Sequence, residues 1–206
     1  MVDPSSSDGA DLPPQRPSYC PLPDSLALVS YIGGALGSWL DEVRRDLEPS
    51  AACVSPRAHV TVLPPRPLAP GYTRNDAAGI LRKLLPAQSA VEIRLGRIEV
   101  FPGTNVVYVS LDAGREPLQA MHDTLNQGPL AYFEPYPYHP HVTLVQGVSA
   151  DLAETIRLEA TRRWEVYTGS RRFVADPLYL VQNSDGSRWV DLERYTLAMA
   201  GYSLPR

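Results

Sequence analysis

Ala58-His59-Val60-Thr61-Val62-Leu63 and Pro140-His141-Val142-Thr143-Leu144-Val145 are two copies of one pattern, a histidine and a threonine two positions apart in a short apolar run. In an extended strand residues i and i+2 point to the same face. His59 therefore projects with Thr61, and His141 with Thr143, while Val60 and Val142 turn to the opposite side. With four histidines and nine threonines in 206 residues, chance supplies such a pattern about 0.2 times. Two copies in matching surroundings point to an internal duplication.

The flanking sequence repeats as well. Leu26 to Ile32 reads as a strand ended by Gly33-Gly34, and Trp39, Leu40, Val43 and Leu47 then recur at helical spacing before the first motif. Val106 to Leu111 reads as a strand, and Leu118, Met121, His122 and Leu125 as a helix before the second. Matching Val29-Ser30-Tyr31 with Val109-Ser110-Leu111 puts Tyr31 28 positions before its histidine and Leu111 30 before its own. Helices are expected after each motif, from Arg74 to Leu85 and from Asp151 to Trp164, with Pro64-Pro65 stopping the first motif strand. Val91 to Val100 alternates apolar and polar residues and turns through Pro102-Gly103-Thr104-Asn105 into a hairpin. Phe173-Val174, Leu178 to Val181 and Trp189 to Leu197 supply the remaining strands. Two alike lobes are implied.

Composition narrows the function. At 44% hydrophobic and 20% charged residues the chain can bury a real core. Nineteen basic against 23 acidic residues give a formal charge of −4, so no sequence-independent grip on long duplex nucleic acid is expected. Cys20 and Cys53 are too few for a disulfide framework and lack zinc spacing, so a reducing, cytoplasmic setting is expected. No secretory signal and no run of about 20 apolar residues is present, so no membrane partner is expected. Residues 1–24, rich in proline and serine, read as a flexible tail, and residues 25–206 as a single bilobal domain, expected to be a monomer.

If the two lobes face each other, His59, Thr61, His141 and Thr143 converge on one cleft. That set suits a phosphodiester. One neutral imidazole takes a proton from an attacking hydroxyl or water, and the other, protonated, gives one to the leaving oxygen. The threonine hydroxyls donate to non-bridging phosphate oxygens, where charge accumulates. Arg57 shares strand parity with His59 and is a candidate substrate contact, as are His139 and Tyr138 beside the second motif. Tyr132, Phe133 and Tyr136 add rings on which a base could stack. His122 on the apolar stripe of its helix reads as structural. A rival reading makes His59, His139 and His141 a three-histidine zinc site, and a third makes the cleft a catalytically silent nucleotide-binding module.

The paired motifs resemble the 2H phosphoesterase superfamily, which includes the 2′,3′-cyclic phosphodiesterases and the bacterial 2′-5′ RNA ligase-like proteins. The resemblance runs from about Leu26 to Leu197, and Tyr138-His139-Pro140-His141-Val142-Thr143-Leu144 is similar to the superfamily's second motif. It implies an α+β, bilobal, internally duplicated fold, two antiparallel sheets flanked by helices with a central cleft. It also implies catalytic and phosphate-binding roles for His59, Thr61, His141 and Thr143. The implied activity is a phosphodiesterase acting on a 2′,3′-cyclic phosphate or 2′-5′ linked nucleotides or RNA ends, reversible as ligation, with no metal or other cofactor. The implied partner is a small nucleotide or short RNA. Pro64 and Gln146 stand where the RNA ligase-like branch often carries an aromatic residue and an arginine, which turns the expectation toward a smaller cyclic phosphate.

Overall fold

The structure, a computed structural model, describes residues 24–47, 57–184 and 188–198. Its elements run β1 (Leu26–Tyr31), α1 (Gly34–Leu47), β2 (His59–Arg66), α2 (Arg74–Leu84), β3 (Val91–Val100), β4 (Val107–Ala113), α3 (Arg115–Leu125), β5 (Val142–Val145), α4 (Ala150–Val166), β6 (Arg172–Ala175), β7 (Leu178–Asn183) and β8 (Trp189–Tyr195). The expected tail falls outside the described residues except for Asp24, whose N–H donates to the Asn183 carbonyl at 2.9 Å.

Two four-stranded antiparallel sheets form, in the orders β2-β1-β7-β8 and β5-β4-β3-β6. The duplication is visible in those orders, since β2, β1, β7 and β8 occupy the places of β5, β4, β3 and β6. Each motif strand is an edge strand, joined to its neighbour by a helical crossover. The helices pack across the duplication: α1 lies against β5 and α3 against β2, while β2 and β5 touch one another. Both sheets consequently share one hydrophobic core, to which Leu28, Val60 and Val62 contribute from the first and Ile93, Val109 and Val142 from the second.

Local chemistry sets the crossovers. Thr73 caps α2 with a reciprocal Thr73–Asp76 capping box, and the Ser149 hydroxyl caps α4. A Cβ on Gly37 would lie 1.9 Å from the Ile32 carbonyl oxygen, so only glycine lets α1 start this close to the end of β1. Gly114 is the N-cap of α3 with φ of 94°, a left-handed conformation that glycine adopts freely.

Three expectations shift. β2 continues through Pro64-Pro65 to Arg66, because an edge strand tolerates residues without an N–H and the register slips between Leu26 and Leu28. β5 begins at Val142, so His141 stands one residue ahead of its strand. The ladders pair Val29 with Thr61 but Tyr108 with Thr143, so Val29 corresponds to Tyr108 and the sequence match was displaced by one residue.

Candidate active site

Each motif histidine is held by its own backbone. His59 Nδ1 lies 2.7 Å from the Arg57 carbonyl oxygen, and His141 Nδ1 2.6 Å from that of His139. A carbonyl only accepts, so Nδ1 carries the hydrogen in both rings and the lone pair of each neutral imidazole sits on Nε2. Among the described residues neither Nε2, nor the hydroxyl of Thr61 or Thr143, has a hydrogen-bond partner. The first motif opens β2 and the second runs from the residue before β5 into it, the two edge strands being in mutual contact.

Loss of hydration pushes both imidazoles down to about 4. For His59 the Arg57 carbonyl opposes the fall, and the charges of Arg44 and His141 deepen it. For His141 the His139 carbonyl opposes it and the His139 ring deepens it.

Aromatic rings frame both histidines. Tyr31, opposite His59 on β1, meets its imidazole edge-on at 6.3 Å and donates its hydroxyl to Asp191 at 2.6 Å. The Arg57 guanidinium lies over the Tyr31 ring at 4.2 Å, with Nη2 4.0 Å from Asp191, and Tyr179 packs on Tyr31 at 4.9 Å. Around His141, Phe101 and Tyr108 stack on each other at 3.9 Å and meet the imidazole edge-on at 4.9 and 5.3 Å. Tyr108 donates to Glu99 at 3.1 Å; burial and that carboxylate push its phenol up to about 12.

The remaining expected substrate contacts sit differently. Tyr138 donates its hydroxyl to the Thr61 carbonyl at 2.7 Å and stacks on His122 at 4.1 Å. It thus ties the loop before the second motif to the first motif itself. Burial lowers the His122 pKa, but Glu134 and Asp123, each 2.9 Å from a ring nitrogen, outweigh it and the net shift is upward. Glu134 also pairs with the buried Arg66, whose guanidinium donates to the Pro64 carbonyl at 2.9 Å, Asn126 at 2.8 Å and the Leu130 carbonyl at 3.1 Å. His139 packs edge-on against Phe101 and Tyr108 at 5.3 and 5.9 Å with its Nε2 buried. Phe133 and Tyr136 are exposed.

The three-histidine zinc reading is not supported. Among the described residues no group of three histidine, cysteine or carboxylate side chains lies at metal-binding spacing.

Sequence reasoning missed several residues that build the site. Tyr31 was legible as the cross-strand neighbour of His59 once antiparallel pairing was assumed. Asp41, which accepts the Ala58 N–H at 2.7 Å and Arg44 at 3.1 Å and so fixes the start of β2 to α1, had no local signal.

Comparison with known proteins agrees with this architecture. The chain is 24% identical over 163 residues to a Bacillus pumilus (strain SAFR-032) protein named "Putative phosphoesterase", covering 77% of this chain and 88% of that one. Its fold matches Escherichia coli LigT in apo form with a TM-score of 0.54 at 15% identity, over 85% of this chain and 98% of LigT. The LigT complex with 3′-AMP matches with a TM-score of 0.52 at 16% identity over the same shares. Kluyveromyces marxianus Usb1 matches with a TM-score of 0.53 at 14% identity, over 82% of this chain and 97% of Usb1. Residues 34–186 match the family model of the 2′-5′ RNA ligase superfamily, and with the two motifs inside that span the chain belongs to this superfamily.

Proposed function

We propose that this protein is a two-histidine phosphodiesterase that opens a 2′,3′-cyclic phosphate or cleaves a 2′-5′ linkage in a small nucleotide or short RNA end, without a metal. The carrying observation is the repeated clamp: both imidazoles are held by Nδ1 on the carbonyl two residues back, leaving both Nε2 atoms for proton transfer. In the hydrolysis of a cyclic phosphate one Nε2 accepts a proton from water as its oxygen attacks phosphorus. The other, as imidazolium, gives a proton to the ribose oxygen as its bond to phosphorus breaks. Thr61 and Thr143 donate to the non-bridging oxygens. Run backwards, with a ribose hydroxyl in place of water, the same groups form a 2′-5′ linkage.

At neutral pH both free imidazoles are neutral, and the negative phosphate bound between them favours the imidazolium that the acid step needs. Arg57 stands beside His59 as a further substrate contact. Family membership and the capture of LigT with 3′-AMP support a nucleotide in the cleft. The test is a panel of 2′,3′-cyclic nucleotides, 2′-5′ and 3′-5′ linked oligonucleotides and ADP-ribose cyclic phosphate, assayed with a chelator present and products identified. Turnover of a cyclic phosphate or 2′-5′ linkage is expected. Binding without turnover of any member would establish the silent module instead.

A further inference from the structure

Arg57 is packed on an aromatic ring as well as placed as a charge. Its guanidinium carbon lies over the Tyr31 ring, 4.2 Å from the centroid, and Tyr31 is backed in turn by Tyr179 at 4.9 Å. Asp191 fixes two members of the column, accepting the Tyr31 hydroxyl at 2.6 Å and facing Arg57 Nη2 at 4.0 Å. The Arg57 side chain nevertheless remains 65% exposed. The tyrosine ring covers the side of the guanidinium that meets it, so the exposure lies on the side turned away from Tyr31.

Beneath the column runs an apolar floor. Ala27, Val29 and Val181 form a buried cluster, separate from the main core, with Tyr31, Tyr179 and Trp189 packed on it. Strand alternation places this floor on the face of the sheet that carries His59 and Thr61, because Val29 pairs with Thr61 and Tyr31 with His59. The equivalent face of the other sheet is different. There Glu99 pairs with Tyr108, and Arg94 and Asp112 are exposed and paired with each other at 3.7 Å. The His141 side has rings as well, Phe101 stacked on Tyr108, but among the described residues no guanidinium lies over them, so the cation-faced column is particular to the His59 side.

We propose that the open face of the Arg57 guanidinium is a stacking platform for the nucleobase of the substrate, so that Arg57 selects nucleoside-bearing phosphodiesters rather than clamping the phosphate. The inference rests on the phosphodiesterase reading. It draws on the general affinity of guanidinium planes for bases, in which a delocalised planar cation stacks where a lysine ammonium cannot. Tyr31 and Tyr179 preorganise the plate, and Asp191 limits its rotation.

The test compares wild type, Arg57→Lys and Arg57→Ala on adenosine 2′,3′-cyclic phosphate and on glycerol 1,2-cyclic phosphate, which has no base. Calorimetric binding of adenosine 3′-monophosphate and of glycerol phosphate is measured alongside. The ratio of kcat/KM for the adenosine substrate to that for the glycerol substrate is expected to fall about 5- to 150-fold in both variants, the range of one lost base stack. Adenosine 3′-monophosphate affinity falls by a similar factor, whereas Val174→Ala on the opposite sheet keeps the wild-type ratio. A phosphate clamp gives the opposite result: Arg57→Ala weakens both substrates alike and Arg57→Lys restores them, which overturns the platform and leaves the phosphodiesterase reading intact. Should wild type turn over neither substrate yet bind adenosine 3′-monophosphate through Arg57, and not through a lysine, the activity is wrong and the platform stands. Equal affinity of wild type and Arg57→Lys for that nucleotide overturns the platform in either case.

Discussion

Removing the Tyr138 hydroxyl tests whether the two motifs are held as one site. In Tyr138→Phe the ring keeps its stack on His122, and only the 2.7 Å hydrogen bond to the Thr61 carbonyl is lost. Burial first, and then the charge of Glu134, raise the Tyr138 pKa, so the group is a phenol and a donor throughout the working range. The net worth of such a bond is about 0.5–1.5 kcal/mol. In a chain of this size each kcal/mol moves Tm by about 2–4 °C, which gives an expected fall of about 1–6 °C by differential scanning calorimetry. The kinetic effect has an upper bound. Thr61 stays in place on β2 but loses its brace, so kcat falls by less than it does in Thr61→Ala. That loss, one hydrogen bond to a charged oxygen at about 1.5–3 kcal/mol, is about 10- to 150-fold. Tyr136→Phe, an exposed ring in the same loop, changes neither quantity. A Tyr138→Phe protein with wild-type Tm and wild-type kcat would refute the idea that this phenol couples the motifs.

Three further outcomes are expected. Because both imidazoles are held near 4 in the free protein, and one must be neutral while the other is charged, kcat/KM follows a bell lying on the acid side of 6.5 and falls as pH rises from 5 to 8; a plateau above 6.5 contradicts this. The kcat profile sits at higher pH, since bound phosphate raises the imidazolium pKa. His122 has a raised pKa in the folded state, so its contribution to stability is complete below the unfolded value of about 6.5 and is lost as pH rises through the folded value; His122→Gln flattens this decline in urea midpoints measured from pH 6 to 9. Glu134→Gln leaves the buried Arg66 without its counter-charge, and at about 3–5 kcal/mol for a broken buried pair it lowers Tm far more than Tyr138→Phe does.

The sequence made the duplication legible because it is written in strand parity. His59 with Thr61 and His141 with Thr143 need only alternation to share a face, and the observed sheet orders repeat element for element. Helix α2 was legible almost to its ends, expected from Arg74 to Leu85 and observed as Arg74–Leu84. What local pattern could not carry was anything decided across the fold. The extension of β2 through Pro64-Pro65 depends on its being an edge strand, and the one-residue register error on bulges in the ladders. The engagement of Tyr138 by Thr61 depends on contact between residues 77 positions apart. The Tyr179–Tyr31–Arg57 column joins three strand regions, and neighbouring sequence gives Arg57 no mark beyond its parity with His59.

The most direct measurement is the turnover of a nucleoside 2′,3′-cyclic phosphate by wild type, His59→Ala and His141→Ala at saturating substrate, each with and without a strong chelator. Removal of either proton-transfer group is expected to cost about 10²- to 10⁴-fold in kcat, with the wild-type rate unaffected by chelation. Near-normal turnover in either histidine variant, or loss on chelation with recovery on adding zinc, would contradict the two-histidine mechanism.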